Sequence, residues 1–128
     1  MPRISELSPA EVNRYFIAYF ATWDTLQNDR ANLERRKLAA DATSDELNEI
    51  EVKLLWIASE HAKLKQRRTA FINGLVAIKP PSDGLVARVK GLTSQSEQLT
   101  NDAIGAQNAI RLTTAALQQF NTIQADRA

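Results

Sequence analysis

Apolar residues recur at alternating steps of three and four along most of the 128-residue chain, the spacing of an α-helix that packs one face against a core. The first stripe consists of Val12, Phe16, Tyr19, Trp23, Leu26 and Leu33. The second consists of Leu47, Ile50, Leu54, Ile57, His61, Leu64, Arg68, Phe71 and Leu75. The third consists of Leu85, Val89, Leu92, Leu99, Ala103, Ala106, Ile110, Leu117 and Phe120. This pattern predicts an all-α protein.

Capping residues predict where the first two helices begin. The segment Ser8-Pro9-Ala10-Glu11 combines a capping serine, a proline at the first helical position and a glutamate three residues after the cap. Thr43 and Glu46 form a second possible capping box after a polar break. We therefore expect helix 1 over residues 9–40 and helix 2 over residues 44–78.

Two consecutive prolines predict the end of the second helix, and Gly74 is the alternative, earlier end. Pro80-Pro81 supplies no N–H groups to continue it, and Ser82 offers the cap of a third helix over residues 83–124. Helix 3 is the longest of the three. Gly91 and Gly105 weaken it locally, which predicts a kink.

Short connections make consecutive helices antiparallel, so the chain is expected to form one domain over residues 1–128. The predicted architecture is an antiparallel, coiled-coil-like, up-down-up bundle of three long helices. In this arrangement Phe120 and Ile123 project beyond the turn between helices 1 and 2. Such an apolar overhang would need a cover.

Charge is balanced over the whole chain but unevenly distributed. There are 16 Lys and Arg residues against 15 Asp and Glu, for a net charge of +1. Between Gly91 and Ala125 the only charged residues are Glu97, Asp102 and Arg111. A charge-poor helix indicates a protein-protein surface, whereas the alternative is a Ser/Thr/Gln-rich face in contact with solvent.

We therefore predict a non-catalytic helical interaction module, an adaptor, inhibitor or assembly subunit, that binds a protein partner or, as a homodimer, a second copy of itself. The expected partner-binding residues lie on the third helix and in the aromatic cluster of the first: Ile104, Leu112, Ala116, Phe120, Ile123, Tyr15, Tyr19 and Phe20. In the alternative interpretation, the residues listed on helix 3 widen the apolar stripe of that helix that faces the core. The aromatic cluster then belongs to the core as well.

The second helix carries a run of cations that supports a different function. Lys63, Lys65, Arg67 and Arg68 could contact phosphates as part of a nucleic-acid-binding accessory subunit. No aromatic residue alternates with them on the same face, and no recognition motif accompanies them. A solvent-exposed basic face is the simpler interpretation.

The chain is poorly equipped for catalysis. It has no cysteine and one histidine, His61, whose helical neighbours Ile57, Ala58, Leu64 and Lys65 include no carboxylate. We therefore expect no catalytic residue, metal ligand or cofactor. An enzyme would require a pocket that brings His61 to a carboxylate such as Asp24.

The first residues contain no apolar run of signal-peptide length, and the longest apolar stretches are shorter than the roughly 20 residues of a membrane span. The sequence therefore predicts a cytoplasmic protein without a membrane span. Export by a system that cleaves no signal remains compatible with these features.

Overall fold

The computed structural model describes residues 1–124, and within this range it contains four α-helices and no β-strand. A short 3-10 helix at Ile4–Glu6 precedes them. The four are α1 (Pro9–Lys37), α2 (Ser44–Ile72), α3 (Asp83–Glu97) and α4 (Ala103–Asn121). The all-α prediction is confirmed. The last four residues of the predicted domain lie outside the described residues.

The predicted N-cap residues are correct at three helix starts: Ser8, Thr43 and Ser82. The second predicted capping box is only half formed, because the Glu46 carboxylate binds Arg36 and does not return to the start of α2. The Ser8 hydroxyl accepts a hydrogen bond from the Glu11 N–H, and the Glu11 carboxylate accepts one from the Ser8 N–H. Thr43 and Ser82 accept equivalent bonds at the starts of α2 and α3. These side chains satisfy backbone donors that the first turn of a helix leaves without partners.

The second helix is six residues shorter than predicted, because it ends at Ile72 and not at residue 78. Gly74 adopts φ of 70°, a left-handed conformation that ends helices and that glycine reaches without strain. The first helix likewise ends at Lys37 and not at residue 40. A glycine therefore ends α2 before Pro80-Pro81 is reached.

The prediction of a single third helix is wrong, because the chain breaks over residues 98–102 and folds back as α4. The Asp102 carboxylate caps α4 by accepting a hydrogen bond from the Gly105 N–H at 2.8 Å. A Cβ atom at position 105 would lie 1.8 Å from the Thr100 carbonyl oxygen, so only glycine allows the chain to turn this tightly. Gly105 therefore marks a corner between two helices.

Contacts between helices give their directions. The α1–α3 hydrogen bonds join Thr25 to Thr93, Asn28 to Ser96 and Asn32 to Thr100, a constant offset that makes these helices parallel. The α1–α4 bonds join Tyr15 to Gln124 and Asp29 to Thr113, which makes that pair antiparallel. The α1–α2 contacts join Arg36 to Glu46 and Tyr15 to Phe71, again antiparallel. Four alternating helices thus replace the predicted up-down-up set of three.

The core contains the residues that were expected to overhang. Phe120 and Ile123 are 0% and 1% exposed. The Phe120 ring packs against Tyr15 and Tyr19, with ring centroids 5.8 and 6.0 Å apart. The overhang prediction is wrong because α4 runs back along α1, whereas a single long helix 3 would have continued past the turn.

Two glycine variants test this account of the corner. Gly105→Ala is expected to lower the free energy of unfolding by about 1–3 kcal/mol, because the new methyl group would overlap the Thr100 backbone. Gly91→Ala is the matched control: its Cβ would meet no atom within 4 Å, so it should raise stability by about 0.5–1 kcal/mol. Urea unfolding measures both. Equal stability of Gly105→Ala and the native chain would refute the tight corner.

Candidate functional site

A shallow groove of about 560 Å³ runs between the parallel helices α1 and α3. Its lining residues are Asn13, Phe16, Ile17, Phe20, Ala21, Asp24, Lys90, Thr93, Ser94 and Glu97. The apolar members all come from α1, and Phe20 is the most exposed aromatic side chain among them, at 49%. The groove is therefore an apolar surface with a polar edge.

The groove forms because the aromatic cluster of α1 covers more than one face of the helix. Tyr15 and Tyr19 are buried in the core, whereas Phe16 and Phe20 lie beside them and stack on each other with centroids 6.3 Å apart. The opposite wall, on α3, is polar and consists of the small residues Thr93 and Ser94 together with Lys90 and Glu97. The Thr93 hydroxyl there donates to the Ala21 carbonyl oxygen at 2.8 Å, which holds the two helices together below the groove.

Charged side chains line the groove asymmetrically. Because α1 and α3 are parallel with a nearly constant offset, Asp24 and Glu97 lie towards the same end, which is acidic. Lys90 lies nearer the middle, at about the level of Ala21. The opposite end, formed by Asn13 and Phe16, carries no charge.

Only two of the predicted partner-binding residues are exposed: Phe20 at 49% and Ile104 at 66%. The others lie in the core of the folded chain: Tyr15, Tyr19, Leu112, Ala116, Phe120 and Ile123. A partner of the folded protein could therefore reach Phe20 and Ile104, and Phe20 is the one that lines a groove.

Burial also accounts for much of the low charge of the predicted third helix. The buried face of α4 is wide and contains Gly105, Ala106, Ala109, Leu112, Thr113, Ala116, Leu117 and Phe120. Its exposed face is mainly polar and includes Gln107, Arg111, Thr114 and Gln118. Packing between helices therefore accounts for the uncharged residues on the buried face of α4, whereas its exposed face is polar and carries Arg111.

The basic run of α2 is divided between the surface and the fold. Lys63 and Lys65 are exposed, and Lys63 lies 3.4 Å from the Glu60 carboxylate. The Arg68 guanidinium lies 5.3 Å from the centre of the Tyr19 ring. Arg67 donates a hydrogen bond to Asn121 on α4. The four cations therefore do not form one continuous surface for phosphates.

His61 packs into the fold beside Trp23, with ring centroids 4.4 Å apart, and its Nε2 atom lies 3.4 Å from the Trp23 carbonyl oxygen. Burial lowers the pKa of His61 below its ordinary value. Asp24 lines the α1–α3 groove, which does not include His61. Within residues 1–124, no three His, Asp or Glu side chains form a group suited to a metal ion.

Sequence reasoning missed a buried polar seam along α1. Its members alternate at steps of three and four and are at most 3% exposed: Thr22, Thr25, Asp29, Asn32 and Arg36. The Thr113 hydroxyl donates to Asp29 at 2.6 Å, and the Asn32 amide donates to the Thr100 carbonyl oxygen at 2.7 Å. The helical spacing of these polar residues was a signal that they share one face, but their polarity suggested solvent exposure.

Asp29 supplies the one carboxyl group among the seam residues. Burial raises its pKa to about 7, and the hydrogen bond from Thr113 partly opposes this shift. Among the described residues, neither Asp29 Oδ1 nor Asn32 Oδ1 has a hydrogen-bond partner. Asp29 and Asn32 lie one helical turn apart, and each has an oxygen atom that accepts no hydrogen bond. Protonation of Asp29 would place an O–H donor beside these two acceptors.

At its far end the seam joins α1 to α2 through ion pairs. The Arg36 guanidinium donates to both carboxylate oxygens of Glu46, each at 2.8 Å, and to Asp41 at 2.9 Å. This pairing lowers the pKa of Glu46. A bidentate arginine-carboxylate pair fixes orientation as well as distance, so it sets how α2 begins relative to the end of α1.

None of the helices in residues 1–124 combines the length and apolarity that a membrane span requires. Comparison of the chain with protein-family models, with curated proteins and with solved structures finds no match. The groove, the polar seam and the exposed faces of the helices are therefore the features from which a function can be inferred.

Proposed function

We propose that this protein is a non-catalytic helical interaction module, an adaptor, inhibitor or assembly subunit, whose α1–α3 groove binds an amphipathic helix of a protein partner. The observation that supports this most is the half-exposed Phe20 ring in an apolar groove of about 560 Å³. Aromatic side chains that become buried at the centre of an interface commonly contribute most of its binding energy.

The dimensions of the groove favour a helix as its occupant. From Asn13 to Asp24 the α1 wall is about 16 Å long at 1.5 Å per residue, which equals roughly three helical turns. A partner helix of that length presents apolar residues at positions i, i+3 or i+4, and i+7 along one face. Those residues would cover Phe16, Ile17 and Phe20.

The charges at the edge of the groove define the partner further. Asp24 and Glu97 would attract a Lys or Arg of the partner helix at the acidic end. Lys90 would pair with an acidic residue nearer the middle. The expected partner segment is therefore amphipathic, with a basic residue beyond its apolar anchors.

The two other predicted activities have less support. Nucleic-acid binding would rest on Lys63 and Lys65, since Arg67 and Arg68 contact α4 and Tyr19. A homodimer through the third predicted helix would rest on Ile104, because the remaining residues of that surface are buried.

Photocrosslinking tests the groove directly. We expect benzoylphenylalanine at position 20 to capture a partner from the source organism, and mass spectrometry to place the crosslink in an amphipathic helical segment with an adjacent basic residue. The matched control carries the same group at Thr114, which is exposed on α4 and distant from the groove. Excess unlabelled protein should compete with capture at position 20.

Two outcomes would contradict the proposal. One is capture that is equally efficient from positions 20 and 114, since that would show no preference for the groove. The other is a crosslinked segment that is extended or uniformly charged, since neither has an apolar helical face for Phe20.

A further inference from the structure

We propose that α2 forms an antiparallel pair with α2 of a second copy of this chain. This surface is separate from the groove, whose lining residues all lie on α1 and α3. The proposal therefore stands or fails independently of the proposed partner helix.

The first observation is an exposed, uncharged stripe along the outer face of α2. It has alternating steps of four and three, and each of its members is exposed: Asn48, Val52, Leu55, Ser59, Ala62, Gln66 and Thr69. Val52 and Leu55 are 63% and 73% exposed and lie one helical turn apart, so they form a small exposed apolar patch. Positions with this spacing are those through which two helices pair in a coiled coil, and here Val52 and Leu55 supply the large apolar side chains at them.

The opposite face of α2 is already used by the core. Ile50, Ile57, Leu64 and Phe71 recur every seven residues and are at most 2% exposed. The outer stripe is therefore a second face of α2, separate from the face that packs in the core. The helix carries 10 of the chain's 31 charged residues, and all ten lie outside the stripe. A face in contact with solvent only would be expected to carry part of that charge.

The second observation is the distribution of charge beside the stripe. Exposed Glu49 and Glu51 flank its first half, and exposed Lys63 and Lys65 flank its second half. In a parallel pair of α2 helices, like charges would face each other. In an antiparallel pair, the acidic half of each helix lies beside the basic half of the other, so α2 is complementary to itself in that direction alone.

The register follows from the heptad pattern. Placing Leu55 opposite Ser59 of the second copy also places Val52 opposite its Ala62 and Asn48 opposite its Gln66. The same register brings Glu49 beside Lys63 of the second copy and Glu51 beside its Lys65. A single register of the two α2 helices therefore aligns the stripe residues and also pairs the opposite charges on both sides of the stripe.

The small residues of the stripe favour an interface in which the two helices lie close together but bury little apolar surface. Ser59 and Ala62 allow the two helices to approach, and a depression of about 450 Å³ lined by Ala62, Lys65, Gln66, Thr69, Ala70 and Leu75 extends the face beyond the stripe. Since Val52 and Leu55 are the only large apolar residues in the stripe, we expect a weak dimer, with a Kd on the order of micromolar.

Charge exchange gives the sharpest test. The double variants K63E/K65E and E49K/E51K should each weaken self-association at least about tenfold, because like charges would then face each other along the whole interface. Mixing the two variants should restore a dimer that contains one copy of each. K79E/R111E is the control for K63E/K65E, since it lowers the net charge by the same amount at exposed positions outside α2. Sedimentation velocity at low salt measures all of these species, and circular dichroism checks that each variant folds.

Cysteine pairing then distinguishes the antiparallel from the parallel arrangement, because the native chain has no cysteine. In a mixture of V52C and A62C variants, the antiparallel register predicts that the mixed disulfide dominates. Dominance of the V52C homodisulfide would indicate a parallel dimer and overturn the proposal. A native chain that stays monomeric up to about 500 µM at low salt, far above a micromolar Kd, would also overturn it.

Discussion

Replacing Phe120 with alanine is expected to lower the free energy of unfolding by about 3–5 kcal/mol. The Phe120 ring is fully buried and lies between Tyr15 and Tyr19 of α1, so its removal would leave a cavity at the centre of the aromatic core. The urea midpoint should fall at every protein concentration, because the lost contacts lie within one chain.

The same measurement separates a core residue from an interface residue. Ile104→Ala is the control, since Ile104 is 66% exposed on the same helix and its truncation should change stability by less than about 0.5 kcal/mol. A Phe120→Ala variant that unfolds like the native chain but no longer self-associates would contradict the four-helix core.

Replacing Asp29 with asparagine is expected to stabilise the protein by roughly 2–4 kcal/mol above about pH 8. Burial raises the pKa of Asp29 to about 7 in the folded chain. The unfolded chain releases the same proton near pH 4. Folding therefore takes up one proton between about pH 4 and pH 7, and the free energy of unfolding falls as the pH rises through that window.

Above this window the folded chain carries a buried carboxylate with one hydrogen bond, from Thr113. Below it, Asp29 is neutral in both states and the variant should gain little. Asp24→Asn is the control, because Asp24 is exposed on the same helix. Chemical unfolding of both variants at a series of pH values tests the prediction. If Asp29→Asn changed the free energy of unfolding by the same amount at about pH 4 and pH 8, burial would not be raising the pKa of Asp29.

Helix starts were predictable because their chemistry is local. Ser8, Thr43 and Ser82 each accept a hydrogen bond from the N–H group three residues later, and the side chains that do this are few and recognisable. The corner after α3 uses the same device through Asp102 and Gly105. It was missed because the apolar stripe continues across it at Leu99 and Ala103, so periodicity suggested one helix.

That single error explains most of the other differences between prediction and structure. With helix 3 unbroken, α1 would pack against two helices, and Phe120 and Ile123 would be exposed. With α4 folded back, α1 is enclosed by three helices, so its polar residues Asp29 and Asn32 become buried as well. Burial of this kind depends on tertiary packing, which the spacing of residues within one helix does not specify.

The candidate site was predictable in part. The sequence places Tyr15, Tyr19 and Phe20 either at a partner-binding surface or in the core, and the structure divides them: the two tyrosines are buried and Phe20 is half exposed. The groove itself could not be predicted, because it depends on which face of α1 packs against α3, and the spacing of residues within one helix does not specify that. The small residues Thr93 and Ser94 then leave space beside Phe20.

Calorimetric titration with a synthetic peptide of the crosslinked partner segment is the most direct test of the proposed function. If the groove binds that segment, Phe20→Ser should raise its Kd at least about tenfold, whereas Leu38→Ser, a change at another exposed apolar residue, should leave the Kd unchanged. Equal affinity of the native chain and Phe20→Ser for the peptide would contradict a binding site between α1 and α3.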